Sequence, residues 1–166
     1  MSQFVRLVAL LSQAAGLISG ILLAASVVVV CHMVFVRYVL GASTIWQTEF
    51  VIYALVAATF LGSPYVMLHK GHVAVDLVPA MLGGMARRIL VVLSLLLSLA
   101  FATLLAYSGW IYFHEAWAHG WRSQSVWAPP LWIPLLPLPV GIGLLALSCI
   151  AEIWKELRGA EHEARS

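Results

Sequence analysis

Charge is what this chain lacks. Only 10% of its 166 residues are Asp, Glu, Lys or Arg, where a soluble domain carries about 25%, so there is too little charge to cover a water-exposed surface. The net charge of +2 is small and dispersed, which excludes the concentrated basic face that a nucleic-acid partner requires. Cysteine is scarce as well. Cys31 and Cys149 both lie in apolar runs, in opposite halves of the expected bilayer, so neither a disulfide between them nor a CxxC metal site is expected. The start of the chain lacks a small-residue cleavage site followed by a soluble domain and does not read as a removable signal. GxSxG, P-loop and HExxH motifs are absent, and no carboxylate pair lies inside an apolar run.

What is present is hydrophobicity, 63% of the residues. The run from Phe50 to Leu68 holds 19 residues without a charge. At about 1.5 Å per residue in a helix, that matches the thickness of a bilayer's hydrocarbon core. Similar apolar runs cover 14–36, 89–113 and 134–154, the last with Glu152 near its end. The fold class expected is an all-α integral membrane protein: one domain over 1–166 with four transmembrane helices. A short interfacial helix is expected between helices two and three, within a segment at about 72–88, with Pro79 near its start and Arg87 and Arg88 at its end. Residues 1–13 read as an interfacial lead-in, and 155–166 as a solvated tail. Pro64 is expected to kink or end helix two, and helix four to begin between Pro134 and Pro139, where proline in a first turn costs little.

Lysine and arginine set the orientation. Seven (Arg6, Lys70, Arg87, Arg88, Lys155, Arg158, Arg165) fall on the side of the termini, against Arg37 and Arg122 on the other. This predicts both termini in the cytoplasm. Trp46, Trp110, Trp117, Trp121, Trp127 and Trp132 then gather at the outer interface, where amphipathic rings anchor. Three rows of small residues recur at four-residue spacing: Gly16, Gly20, Ala24; Ala54, Ala58, Gly62; and Ser94, Ser98, Ala102, Ala106. Such rows let helix backbones approach closely in lipid, within the bundle for most of them and against another subunit for the rest.

Chemistry-bearing residues are few. His114 and His119 stand five apart and diverge by about 140° on a helix, so HEAWAH is not a zinc motif. His69, His72 and Asp76 would share a face only if their segment were helical, which its valine alternation opposes. His32 lies inside a span, where an ionisable group is costly. With His114 at a comparable depth it leaves open a haem-binding anchor subunit of a redox enzyme, beside a plain self-associating tetraspan. Arg37 and Glu49 flank the tight turn between helices one and two and read either as a pair bracing it or as two snorkelling charges. No charged residue lies near a midplane, where secondary transporters bind substrate and ions. The residues by themselves indicate a non-catalytic membrane subunit that supports something else.

Three motifs go further. RY–LG–S–W–x–x–E precedes helix two, FLGSPYVMLHKGHVAVD closes it, and RSQSVWAPPLWIPLLPLPVG leads into helix four. Together they resemble the small membrane subunit of tripartite ATP-independent periplasmic (TRAP) transporters, over about residues 10–155. Arg37, Tyr38, Gly41, Ser43, Trp46 and Glu49 carry the first motif; Gly62, His72, Val73, Val75 and Asp76 the second; Ser125, Pro130, Pro134, Pro139 and Gly141 the third. Lys70 before Gly71 and the doubled Pro129–Pro130 depart slightly from the pattern.

The resemblance implies a bacterial inner-membrane protein with no enzymatic activity and no cofactor. Its partners would be a large multi-helix membrane subunit carrying the substrate and sodium sites, and a periplasmic substrate-binding protein delivering an organic acid. The small subunit would be the scaffold against which the large one moves. Arg37, Trp46, Glu49, Gly62, His72 and Asp76 are the scaffold or subunit-interface residues expected from it. Trp117, Trp121 and Arg122, in the Trp-rich 114–132 connection, are the candidates for docking the binding protein.

Overall fold

The computed structural model describes residues 3–69 and 84–163, with side chains over 3–69 and 89–154. Five helices follow in order: α1 (Gln3–Val39), α2 (Ile45–Leu68), α3 (Gly84–Ala118), the single turn α4 (Trp132–Leu135) and α5 (Pro137–Glu163). Four stretches among the described residues are long and apolar enough to cross a membrane: Gln3–Val39, Ile45–Leu68, Ile89–Ala118 and Trp132–Trp154.

The four spans lie where the uncharged runs place them, but the helices outrun those spans. α1 begins at Gln3, so residues 3–13 are helix rather than a lead-in. Their apolar positions have a packing reason. Val5 and Val8 are buried in a cluster with Ala151 of α5, and the Ser12 and Ser148 hydroxyls lie 3.2 Å apart one turn further in. The buried face of α1 runs Val5, Val8, Ser12, Ala15, Ser19, Ser26, a three-and-four spacing built largely from small residues. α2 starts at Ile45, so Trp46 and Glu49 stand in its first turns rather than before it. α3 is described from Gly84, so Arg87 and Arg88 stand on the helix that continues into the span Ile89–Ala118. No glycine or proline stands between Met85 and Ser108 to interrupt it. The rest of the expected interfacial segment, 72–83, lies outside the described residues.

Proline acts differently at its two sites. Pro64 does not end α2, which continues to Leu68. Lacking an N–H, it deprives the Phe60 carbonyl of its helical partner. The Ser63 hydroxyl donates to that carbonyl instead, at 2.8 Å. Pro134, Pro137 and Pro139 accompany a stepped start, in which α4 passes into α5 through a bond from the Leu136 N–H to the Trp132 carbonyl at 3.1 Å.

α5 is the hub. It packs on α3, α2 and α1, and α1 packs along α2 as an antiparallel hairpin; among the described residues the backbone of α3 approaches neither α1 nor α2 closely. The described helices therefore form an open array rather than a closed four-helix bundle. Small residues make its contacts. A Cβ on Gly141 of α5 would run into the Phe60 carbonyl, the same oxygen that Pro64 releases. On the other side of α2, the Ser19 hydroxyl donates to the Ala58 carbonyl at 2.7 Å. A Cβ on Gly62 would come within 2.9 Å of that Ser19 oxygen. The row Ala54, Ala58, Gly62 is thus spent inside the array. The other rows divide: Gly16 faces the Tyr65 ring whereas Gly20 has nothing within 4 Å, and Ala102 is buried whereas Ser98 is exposed.

Gly141→Ala should consequently cost about 1–3 kcal/mol through overpacking against an immobile carbonyl. Gly20→Ala should be neutral or stabilising by up to ~1 kcal/mol, since only helix propensity changes. Thermal unfolding of the two variants in detergent checks the contrast; equal melting points would contradict it.

Candidate interface at the end remote from the termini

The end of the array opposite the termini is built from two connections. Between α1 and α2, Gly41 takes a left-handed φ of +60°, and the Ala42 N–H returns to the Val36 carbonyl at 3.3 Å. Thr48 in the first turn of α2 then reaches back to the Met33 sulfur at 3.5 Å, and Trp46 lies 6.3 Å from the His32 ring.

The second connection begins where α3 stops. Gly120, at φ +59°, ends the helix: the Trp121 N–H reaches the Ala116 carbonyl at 3.0 Å and the Gly120 N–H reaches Trp117 at 3.3 Å. This pair of bonds satisfies carbonyls that a helix end leaves orphaned. The chain then folds into a short hairpin. The Leu131 N–H donates to the Trp121 carbonyl at 2.9 Å and the Ser123 N–H to the Pro129 carbonyl at 3.0 Å, bracketing an Arg122–Pro130 bridge. At its tip the Ala128 N–H donates to the Ser125 carbonyl and hydroxyl, at 3.1 and 3.2 Å. Ala128 itself sits at φ +44°. Aromatic edges fix the base: Trp121 on Tyr112 with centroids 5.7 Å apart, Trp117 on Trp132 at 4.8 Å.

One polar bond ties α2 to this hairpin. The Ser123 hydroxyl donates to Glu49 Oε1 at 2.9 Å. Glu49 is half-buried, and its Oε2 is enclosed with no hydrogen-bond partner among the described residues. Gln47, 3% exposed, likewise has an enclosed and unpartnered Oε1. A net hydrogen bond to a charged group contributes about 1.5–3 kcal/mol, and an enclosed acceptor left without a donor costs about 1–3 kcal/mol or more. The two effects are of similar size, so stability alone does not account for an acid here.

The residues expected from the sequence are placed as follows. The carboxylate of Glu49 is engaged by Ser123, while Arg37 is exposed in the last turn of α1. Trp46 is partly exposed beside His32. Gly62 lies within the array, and His72 and Asp76 lie outside the described residues. Trp117 belongs to α3, whose end is five residues later than expected; Trp121 is half-buried at the hairpin base, and Arg122 is exposed beside it. The hairpin brings Ser123, the neighbour of Arg122 in the chain, to Glu49, and sequence reasoning missed Ser123 and Gln47. The only available hint was a serine in a polar stretch, RSQS, too common a pattern to point to a distant acid.

No group of three or more His, Cys, Asp or Glu able to hold a metal occurs among the described residues. His32 and His114 are both exposed, on helices that do not pack together. A cleft of about 230 Å³ between α2, α3 and α5 is lined by Met67, Phe101, Leu105, Ile142 and their neighbours without a charged side chain.

A double-mutant cycle on stability should show coupling of about 1–3 kcal/mol between Glu49→Ala and Ser123→Ala. Arg37→Ala and Glu49→Ala should simply add. Coupling to Arg37 instead would restore the brace that the sequence suggested.

No curated protein matches the chain. The family model described as tripartite ATP-independent periplasmic transporters, DctQ component, matches residues 26–159. That stretch takes in α2, α3, α4, the hairpin with Ser123, the C-terminal part of α1 from residue 26 and most of α5, and on it the chain belongs to the DctQ family, the small membrane component of TRAP transporters.

Proposed function

We propose that this DctQ chain is a non-catalytic scaffold, holding a large membrane subunit in place for sodium-coupled uptake of an organic acid that a periplasmic binding protein delivers. One observation carries the reading. The stretches 14–36, 50–68, 89–113 and 137–151 contain no Asp, Glu, Lys or Arg. A transport pathway needs groups that replace the hydration of an ion or an anionic substrate inside the membrane. These helices offer hydroxyls that mostly bond to the backbone of their own or an adjacent helix, as at Ser19, Ser26, Thr59, Ser63 and Thr103.

The open array supports the same reading. Among the described helices α3 packs on α4 and α5, leaving wide apolar faces on α1 and α3 for lipid and for another membrane subunit. In lipid, close packing and polar contacts hold helices together, since burial of apolar area drives nothing there. The lysine and arginine count favours cytoplasmic termini, which would turn the hairpin toward the periplasm of a bacterial inner membrane. The exposed Arg122 and the neighbouring Trp121 and Trp117 then stand where a delivering protein would arrive.

Leaving this chain out of a reconstituted transporter should abolish uptake while the binding protein keeps its affinity for substrate; uptake that survives rejects the scaffold. Trp121→Ala or Arg122→Ala should weaken docking by about five- to tenfold, the scale of about 1–1.4 kcal/mol. Unchanged transport kinetics in both variants would count against this docking face.

A further inference from the structure

We infer that Glu49 is a positioning residue for docking: through Ser123 it sets the pose of the 121–131 hairpin that the binding protein meets. The inference rests on the docking role proposed above. Its basis is the meeting of two segments 74 residues apart, the start of α2 and the connection after α3, through the bond from Ser123 to Glu49. A hydroxyl has one proton. Ser123 directs it to the carboxylate, which leaves the oxygen's lone pairs for the Ser125 N–H at 3.4 Å. Ser125 in turn accepts from the Ala128 N–H, through its carbonyl and its hydroxyl. The chain of bonds therefore runs from α2 to the left-handed residue that shapes the tip.

That tip is built to be met. Val126 is 86% exposed and Trp127 48% exposed, and the exposed Arg122 stands at the hairpin's base. An apolar tip above a cation suits a protein surface with an apolar recess rimmed by acidic side chains. Glu49 also keeps Oε2 enclosed and unpartnered, with Gln47 in a similar state close by on α2. An apolar residue would spare the fold that burden. An acid at this position is explained by what it orients rather than by what it stabilises.

The test uses the whole transporter in proteoliposomes, with initial uptake measured against binding-protein concentration. Ser123→Ala and Glu49→Ala should raise the half-saturating concentration about fivefold, the loss of one hydrogen bond's worth of orientation, while the maximal rate per assembled complex stays within about twofold. Ser123→Thr and Glu49→Gln keep a donor and an acceptor and should stay close to the parent. Amide exchange at Ser125 and Ala128 should quicken in Ser123→Ala. An unchanged half-saturating concentration in both alanine variants overturns the inference, including the case in which the tip serves only the lipid surface. A loss confined to maximal rate or to the amount of complex, or a Glu49→Gln as defective as Glu49→Ala, also overturns it. Parent uptake that ignores the binding protein altogether would instead sink the docking reading beneath it.

Discussion

The approach of α5 to the backbone of α2 at Gly141 and Phe60 is the contact on which the architecture depends. In lipid there is no apolar area to gain by bringing helices together, so contact must come from closeness and from polar groups satisfied between backbones. Pro64 frees a carbonyl, Ser63 caps it, and glycine on the neighbour lets that helix lie over it. On the opposite flank, Ser19 donates to the Ala58 carbonyl. α2 is thereby held from both sides through its main chain. Among the described residues α3 packs against α5 and the α4 turn, so the hairpin it carries is held by that seam and by the bond from Ser123 to Glu49 of α2.

This makes the bond from Ser123 to Glu49 more than a local detail. The hairpin hangs from the end of α3, whose described backbone does not approach α2 closely. The carboxylate therefore closes, at one end, an array that is open along its length. The side chains that fill the apolar faces are large and exposed, among them Leu17, Ile21, Val28, Leu97, Phe101 and Leu104. Faces of that kind sit in hydrocarbon or against another apolar helix. A chain with close-packed seams inside and aliphatic faces outside suits a static support.

The spans were legible because bilayer thickness and uncharged length are the same constraint. Their ends were not, because hydropathy does not decide where a helix stops. α3 runs on to Ala118 until Gly120 supplies a left-handed cap, and residues 3–13 belong to α1, where Val5 and Val8 have α5 to pack on. Serines at 12, 19 and 26 read as polar interruptions of an apolar run, yet they are buried contacts. The small-residue rows were visible as rows but not as directions: Gly62 turns inward and Gly20 outward. Glu49 was visible as an acid at an interface, and the nearby Arg37 looked like its natural partner. The serine that binds it arrives through the fold, and no local pattern announces it.

The central claim is that these helices support a transporter without moving solute themselves. Reconstituting the purified chain alone in liposomes, with an inward sodium gradient and radiolabelled organic acids outside, tests it most directly. The account predicts no accumulation above that of empty vesicles. Gradient-driven accumulation by this chain alone would contradict it.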